Sequence, residues 1–150
     1  MGFFPGRLSG YSLVELMVVV GIVAVLASVS LPAYQNYLVR ARISEALTDA
    51  SGLKALVIGN ASSGAPDLAM GFSADESVPS KNVEKVAING SNGVITVSTT
   101  GRAGGGVITL IPVDAEGDIL IAGRLPKGDI SWVCKSALRA IYIPRGCISE

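Results

Sequence analysis

Residues 10–39 read GYSLVELMVVVGIVAVLASVSLPAYQNYLV, and this stretch decides the fold. From Leu16 to Val39 the chain carries no charged side chain. A helix needs about 20 consecutive apolar residues to cross a bilayer, so this run is long enough to span one. A secretory signal has a shorter apolar core that leads to a cleavage site of small residues. We therefore expect a membrane-spanning helix here.

Glu15 stands at the start of this apolar run. A carboxylate inside a membrane helix costs at least about 2.5 kcal/mol and is by default a candidate functional site. The alternative is that Glu15 marks the edge of the membrane and faces the lipid headgroups. Hydropathy alone does not decide between these two interpretations.

Pro32 interrupts the helical pattern. A proline inside a helix removes one backbone hydrogen bond and kinks the helix, and membrane helices tolerate such breaks. The alternative is a helix that ends near Leu31. Apolar residues recur beyond Pro32 with helical spacing, which favours one helix from about Ser12 to about Ile58. Its second half carries one apolar stripe, formed by Ile43, Ala46, Leu47, Ala50, Leu53 and Val57.

The rest of the chain has the pattern of a β-sheet. Helix-stopping residues from Gly59 to Pro66 precede a loop that runs to about Asn82. We expect an α+β fold, in which the long N-terminal helix packs with its apolar stripe on an antiparallel sheet of about four strands. The candidate strands are Val83–Ile88, Val94–Thr99, Val107–Val113, Asp118–Gly123 as the hairpin partner of the preceding strand, and Ile130–Lys135.

Composition excludes several classes of function. The 150 residues fit one domain, and 12 basic side chains balance 12 acidic ones, so bulk charge does not indicate nucleic-acid binding. Histidine is absent, which excludes Ser–His and Cys–His catalysis and the commonest metal ligand. We expect no enzyme, no cofactor and no metal site. Asp114, Glu116 and Asp118 alternate along a turn as a weak calcium pattern, well short of an EF-hand loop.

The two cysteines are Cys134 and Cys147, and they form no CxxC motif, so a redox or zinc-ribbon site is not indicated. Two interpretations stay open at this point. They are buried free thiols, or they form a disulfide, which is the natural state if this part of the chain lies outside the cytoplasm.

The stretch Gly10-Tyr11-Ser12-Leu13-Val14-Glu15 resembles the prepilin cleavage motif of type IV pilins. The resemblance implies leader cleavage after Gly10 and methylation of the new N-terminus, Tyr11, although the family usually has phenylalanine there. It also implies that Glu15 pairs with the terminal amine of a neighbouring subunit during filament assembly. Pro32 falls where such pilins place a proline in the assembly helix.

The end of the chain resembles the C-terminal disulfide loop of type IVa pilins. Residues 131–136, SWVCKS, are similar to the start of that loop, and residues 142–147, YIPRGC, are similar to its end. The resemblance implies a Cys134–Cys147 disulfide and an exposed loop, Lys135–Gly146. Ser149, near the C-terminus, is a candidate for O-linked glycosylation, as in some family members. Within the loop, two basic side chains and one aromatic side chain would form the surface. The three are Arg139, Tyr142 and Arg145.

Together these matches identify the chain as resembling a type IVa major pilin precursor. The implied parts are a cleaved leader at residues 1–10, a membrane and filament-core segment at 11–39, and a globular pilin domain at 40–150. The implied partners are other copies of the chain, prepilin peptidase/methyltransferase, the inner-membrane assembly machinery with its ATPases, and an outer-membrane secretin. Before assembly the globular domain would be periplasmic on a single-pass inner-membrane anchor, and afterwards the subunit would be in an extracellular pilus.

Two alternatives remain beside this interpretation. A minor pilin or type II secretion pseudopilin would share the architecture, although pseudopilins usually lack the C-terminal disulfide loop. A membrane-anchored periplasmic binding domain would keep residues 1–10 uncleaved. Attachment, twitching motility and DNA uptake are properties of the filament, and the sequence does not choose among them.

Overall fold

The structure is a computed structural model that describes residues 10–73 and 80–150. Residues 1–9 of the expected leader and residues 74–79 of the expected loop lie outside the described residues. The described chain divides into two compact units, with the boundary between Gln35 and Asn36.

One helix, α1, spans Leu13–Ser62 and therefore contributes residues to both units. It continues through Pro32, so the alternative of an end near Leu31 is wrong. The helix ends inside the stretch from Gly59 to Pro66, where the helix-stopping residues were expected to act.

The second unit contains a five-stranded sheet in which the strands follow their order along the chain, β1-β2-β3-β4-β5. The first four strands pair antiparallel, and β5 pairs parallel to β4. The prediction of an antiparallel sheet of about four strands is confirmed for β1 to β4, and β5 adds a fifth strand that is parallel. The strands are β1 Val83–Ile88, β2 Ile95–Thr99, β3 Val107–Val113, β4 Ser131–Ser136 and β5 Cys147–Ser149.

The predicted stripe of α1 forms one side of the core. Ile43 and Val57 are fully buried, and Ala46, Ala50 and Ala61 are almost so. On the sheet side, alternate residues of β2 and β3 point inward, as expected for strands with one buried face. Small alanines on the helix allow the sheet to approach closely. The main sheet residues of the core are Ile95, Val97, Ile108 and Leu110.

The predicted strand Asp118–Gly123 is wrong. Only an isolated bridge from Val113 to Ile119 remains of the expected hairpin. The backbone of the segment finds other partners, because the Ala122 N–H donates to the Ser91 carbonyl at 2.9 Å and the Gly123 N–H donates to the carbonyl of Ala65 at 2.7 Å. These bonds tie the segment to neighbouring loops instead of extending a ladder along β3.

Candidate functional site

The predicted cleavage motif, Gly10 to Glu15, spans the start of α1. Gly10, Tyr11 and Ser12 are exposed and non-helical, and 79% of the Tyr11 surface is accessible. Ser12 caps the helix, because its hydroxyl oxygen accepts the backbone N–H of Glu15 at 3.2 Å. This bond satisfies one of the N–H groups that the start of a helix leaves unpaired. The peptide bond between Gly10 and Tyr11 thus lies in an exposed segment that ends at a capped helix.

Glu15 is the acidic residue in the first turn of α1. A serine cap followed three residues later by glutamate is the capping-box pattern, and a negative charge is favourable at a helix N-terminus. The side chain is exposed, and it forms no salt bridge within the part of the chain that the structure describes. Glu15 therefore has a local role in starting the helix, and its carboxylate remains accessible from outside the subunit.

Pro32 lies inside α1 among apolar side chains. Because proline has no N–H, the carbonyl of Ser28 loses its usual helical partner. The nearby hydroxyls bond back to the helix: Ser28 Oγ donates to the Val25 carbonyl at 2.7 Å, and Ser30 Oγ donates to the Ala27 carbonyl at 3.3 Å. Hydroxyls satisfied in this way can enter an apolar environment without leaving a donor unpaired.

The first unit presents a largely apolar surface. Every large apolar side chain from Leu13 to Leu31 has more than half of its surface exposed. By length and composition, α1 is able to cross a membrane. An exposed apolar surface of this extent marks a region that is covered by lipid or by another protein.

The predicted disulfide between Cys134 and Cys147 is confirmed. The two cysteines face each other in the register of β4 and β5, with their Cα atoms 4.5 Å apart. The bond therefore fixes the short parallel strand β5 to the edge of the sheet. It closes the loop Lys135–Gly146, which was the expected surface loop.

The loop is also attached to the rest of the subunit at positions between its two cysteines. Arg40 Nε donates to the Ile141 carbonyl at 2.7 Å, and the Tyr142 hydroxyl donates to Asn36 Oδ1 at 3.4 Å. Leu138 is buried in the core. Sequence reasoning missed Arg40, whose only visible signal was a charge at the end of the apolar run.

The chemistry expected for the loop surface is partly present. Arg139 and Arg145 are exposed, as expected. Tyr142 is half-buried, and the Arg139 guanidinium lies 5.6 Å from the centre of its ring, within cation–π range. The aromatic side chain is therefore engaged within the subunit rather than presented freely. Ser149, the glycosylation candidate, is exposed on β5.

The side chains of two acidic residues of the weak calcium pattern, Asp114 and Glu116, make contacts within the subunit. Asp114 Oδ1 accepts the backbone N–H groups of Glu116 and Asp118, both at 3.0 Å. Burial by itself raises the pKa of Asp114. Backbone hydrogen bonds from Asp118, Glu116 and Lys127, together with the charge of Lys127, outweigh this effect, so the pKa of Asp114 lies below its usual value. Glu116 forms a salt bridge with Lys127. Within the described residues, no cluster of three metal-ligating side chains is present.

Comparisons with known proteins support the resemblance that was found at both ends of the chain. The family model for pilin, a bacterial filament protein, matches residues 39–148. The model for the prokaryotic N-terminal methylation motif matches residues 7–31. The two matched segments follow each other along the chain, with residues 32–38 between them, and together they cover most of the sequence.

Individual relatives are similar over most of this chain. Fimbrial protein EcpC of Eikenella corrodens is 37% identical over 147 residues, which covers 92% of this chain and 89% of the relative. Type IV major pilin protein PilE of Neisseria gonorrhoeae is 38% identical over 130 residues, which covers 83% of this chain and 72% of the relative. With its capped apolar helix, its sheet and its C-terminal disulfide, the chain belongs to the type IV pilin family and is a structural subunit of a pilus.

Proposed function

We propose that the chain is made as a precursor whose leader, residues 1–10, is removed between Gly10 and Tyr11. Prepilin peptidase/methyltransferase makes the cut and then methylates the Tyr11 amine. The match of residues 7–31 to the methylation motif supports this step. So does the exposed, non-helical backbone around the bond, because a peptidase acts on an extended segment more readily than on a helix.

The observation that carries the proposal is the exposed apolar surface from Leu13 to Leu31. Such a surface is stable in a bilayer and also in a filament core made of packed helices. Residues 11–39 would occupy the inner membrane before assembly and the filament core afterwards. Because one apolar environment replaces another, the ATPases of the assembly machinery can drive both extraction and reinsertion.

Glu15 would set the axial register of the filament. An unpaired carboxylate among packed apolar helices is costly. The terminal amine of Tyr11 from a neighbouring subunit supplies the opposite charge, and the attraction is stronger there than in water. The accessible carboxylate at the capped start of α1 supports this role. Pro32 would bend the helix at the place where it packs into the filament.

Residues 40–150 would lie in the periplasm before assembly and outside the cell afterwards, once the filament has passed through the outer-membrane secretin. The Cys134–Cys147 disulfide supports this location, because disulfides persist in oxidising compartments. Attachment, twitching motility or DNA uptake would be activities of the filament. No catalytic role and no cofactor are proposed for the subunit.

The substitution Glu15→Gln tests the assembly step in cells that express the protein natively. Since losing a charge partner in an apolar environment costs several kcal/mol, we expect the amount of subunit in sheared surface filaments to fall at least about tenfold. Processed subunit should accumulate in the membrane. The matched control is Glu84→Gln, which removes an exposed carboxylate on β1. Normal amounts of filament from Glu15→Gln would refute the proposed pairing.

A further inference from the structure

Two Asn-Gly pairs stand in the turn between β1 and β2: Asn89–Gly90 and Asn92–Gly93. Asparagine is chemically labile in proteins, and it is most labile before glycine, which has no side chain to hinder attack by its own backbone nitrogen. Before it can attack, this backbone nitrogen must break any hydrogen bond that its N–H donates. The surroundings of the two glycines therefore decide which asparagine reacts.

Gly93 is held firmly. Its N–H donates to the Asn89 carbonyl at 2.7 Å, and its backbone has a positive φ of 70°. The residue is buried, whereas Gly90 is only partly buried. Cyclisation at Asn92 would break the Gly93 bond and move packed backbone.

Gly90 has a different environment. Within residues 10–73 and 80–150, its N–H donates no hydrogen bond. Asn89 is exposed, and its Oδ1 accepts the Ser91 N–H at 3.0 Å. Asn92 forms the equivalent Asx turn with Val94, so the two sites differ in the glycine nitrogen and in burial, not in the hydrogen bond of the asparagine side chain.

We propose that Asn89 is a site of spontaneous deamidation in the folded protein and that Asn92 is protected. The Gly90 nitrogen forms a bond to Cγ of Asn89, and the bond from Cγ to the amide nitrogen breaks. The proton from Gly90 leaves with that nitrogen as ammonia. Water then opens the succinimide at either carbonyl and leaves aspartate or isoaspartate. The reaction needs no other reactant and no oxidant.

The products change the turn in two ways. Either one replaces a neutral amide with a carboxylate, in a turn where the Asp67 carboxylate already packs against Gly90. Isoaspartate also adds one methylene to the backbone between residues 89 and 90. That displaces the Gly90 carbonyl, which accepts the Leu68 N–H at 2.8 Å and joins this turn to the loop after α1. An extracellular subunit would accumulate these products with age.

The test follows both asparagines in the purified full chain during incubation in mildly alkaline water enriched in heavy oxygen. Peptide mass spectrometry locates the incorporated oxygen. Because reaction at Asn92 must first break a buried hydrogen bond, we expect Asn89 to react at least about fivefold faster. Equal rates, or a faster reaction at Asn92, would overturn the proposal.

A second arm separates the effect of the fold from that of the local sequence. In denaturant the two sites should react at similar rates, since both asparagines precede glycine. A preference for Asn89 that persists in the unfolded chain would also overturn the proposal. Asn89→Gln should remove the main product, the aspartate and isoaspartate at residue 89. Asn92→Gln should leave the rate at which that product forms unchanged.

Discussion

The Arg40 guanidinium donates from Nε to the backbone carbonyl of Ile141 across 2.7 Å, although the two residues are 101 positions apart in sequence. Arg40 belongs to α1, and Ile141 lies in the disulfide loop Lys135–Gly146. The middle of the loop is therefore tied to the helix, while its base is tied by the disulfide. This arrangement gives the loop a defined conformation instead of leaving it as a free surface segment.

Replacing Arg40 should loosen the loop. Arg40→Met keeps most of the aliphatic side chain and removes the donor, so we expect a loss of about 1 kcal/mol in the free energy of unfolding. Hydrogen exchange at the Tyr142 amide, which donates to the Arg139 carbonyl at 2.7 Å, should become faster. Arg145→Met, at an exposed position of the same loop, is the control and should change neither quantity. Unaltered exchange in Arg40→Met would show that the bond does not hold the loop.

The disulfide should contribute more than that bond. Its cysteines are 13 positions apart, and a loop of this length is worth about 3 kcal/mol in the chain-entropy model. We expect the double variant Cys134→Ser, Cys147→Ser to lose roughly this amount in denaturant unfolding. Chemical reduction of the unmodified chain should reproduce the loss. A double variant as stable as the oxidised protein would contradict the prediction.

Two glycines with similar backbones differ in what surrounds them. Gly93 and Gly117 have positive φ angles of 70° and 87°. A Cβ atom at Gly93 would lie 2.6 Å from Val57 Cγ1, whereas one at Gly117 would meet nothing within 4 Å. Substitution by alanine strains both backbones by about 1–2 kcal/mol.

Overpacking should add a further cost of about 1–3 kcal/mol to Gly93→Ala alone. The measurement is the difference in unfolding free energy between Gly93→Ala and its control, Gly117→Ala. Equal losses for the two variants would show that the turn does not pack closely on the helix.

Asp114 makes stability depend on pH. Its pKa is lowered in the folded state, so the stabilisation is present above the pKa of an unfolded carboxyl, about 4, and is lost as the pH falls through the lower folded value. Asp114→Asn should therefore melt at a lower temperature than the unmodified protein at neutral pH. This difference should shrink in acid. Asp129→Asn, at an exposed position, is the control. A difference that grows with acidification would contradict the sign of the pKa shift.

The helix and much of the sheet were predictable because local patterns encode them. The spacing of Ile43, Ala46, Ala50 and Val57 located the buried face of α1, since a helix repeats every 3.6 residues. The strand Val107–Val113 was predicted with its observed bounds because it is an apolar run between two glycine-containing turns. These elements carry their signal within their own residues.

Other features depend on partners that are distant in sequence. Asp118–Gly123 has strand-like residues, but its N–H groups bond to loops around Ser91 and Ala65. The strand Cys147–Ser149 has only three residues, too few to show a period, and its parallel register accompanies the disulfide. At the candidate site, the motif from Gly10 to Glu15 was visible because it is contiguous. The contact from Arg40 to the loop requires the folded chain.

The most direct measurement is the non-reduced intact mass of the protein sheared from the surface of cells that express it natively. We expect the mass of residues 11–150, plus one methyl group and minus two hydrogens, because cleavage after Gly10, methylation of Tyr11 and the Cys134–Cys147 disulfide all change the mass. Protein that is absent from the sheared fraction, and is found in membranes with residues 1–10 still attached, would contradict the proposed processing and assembly.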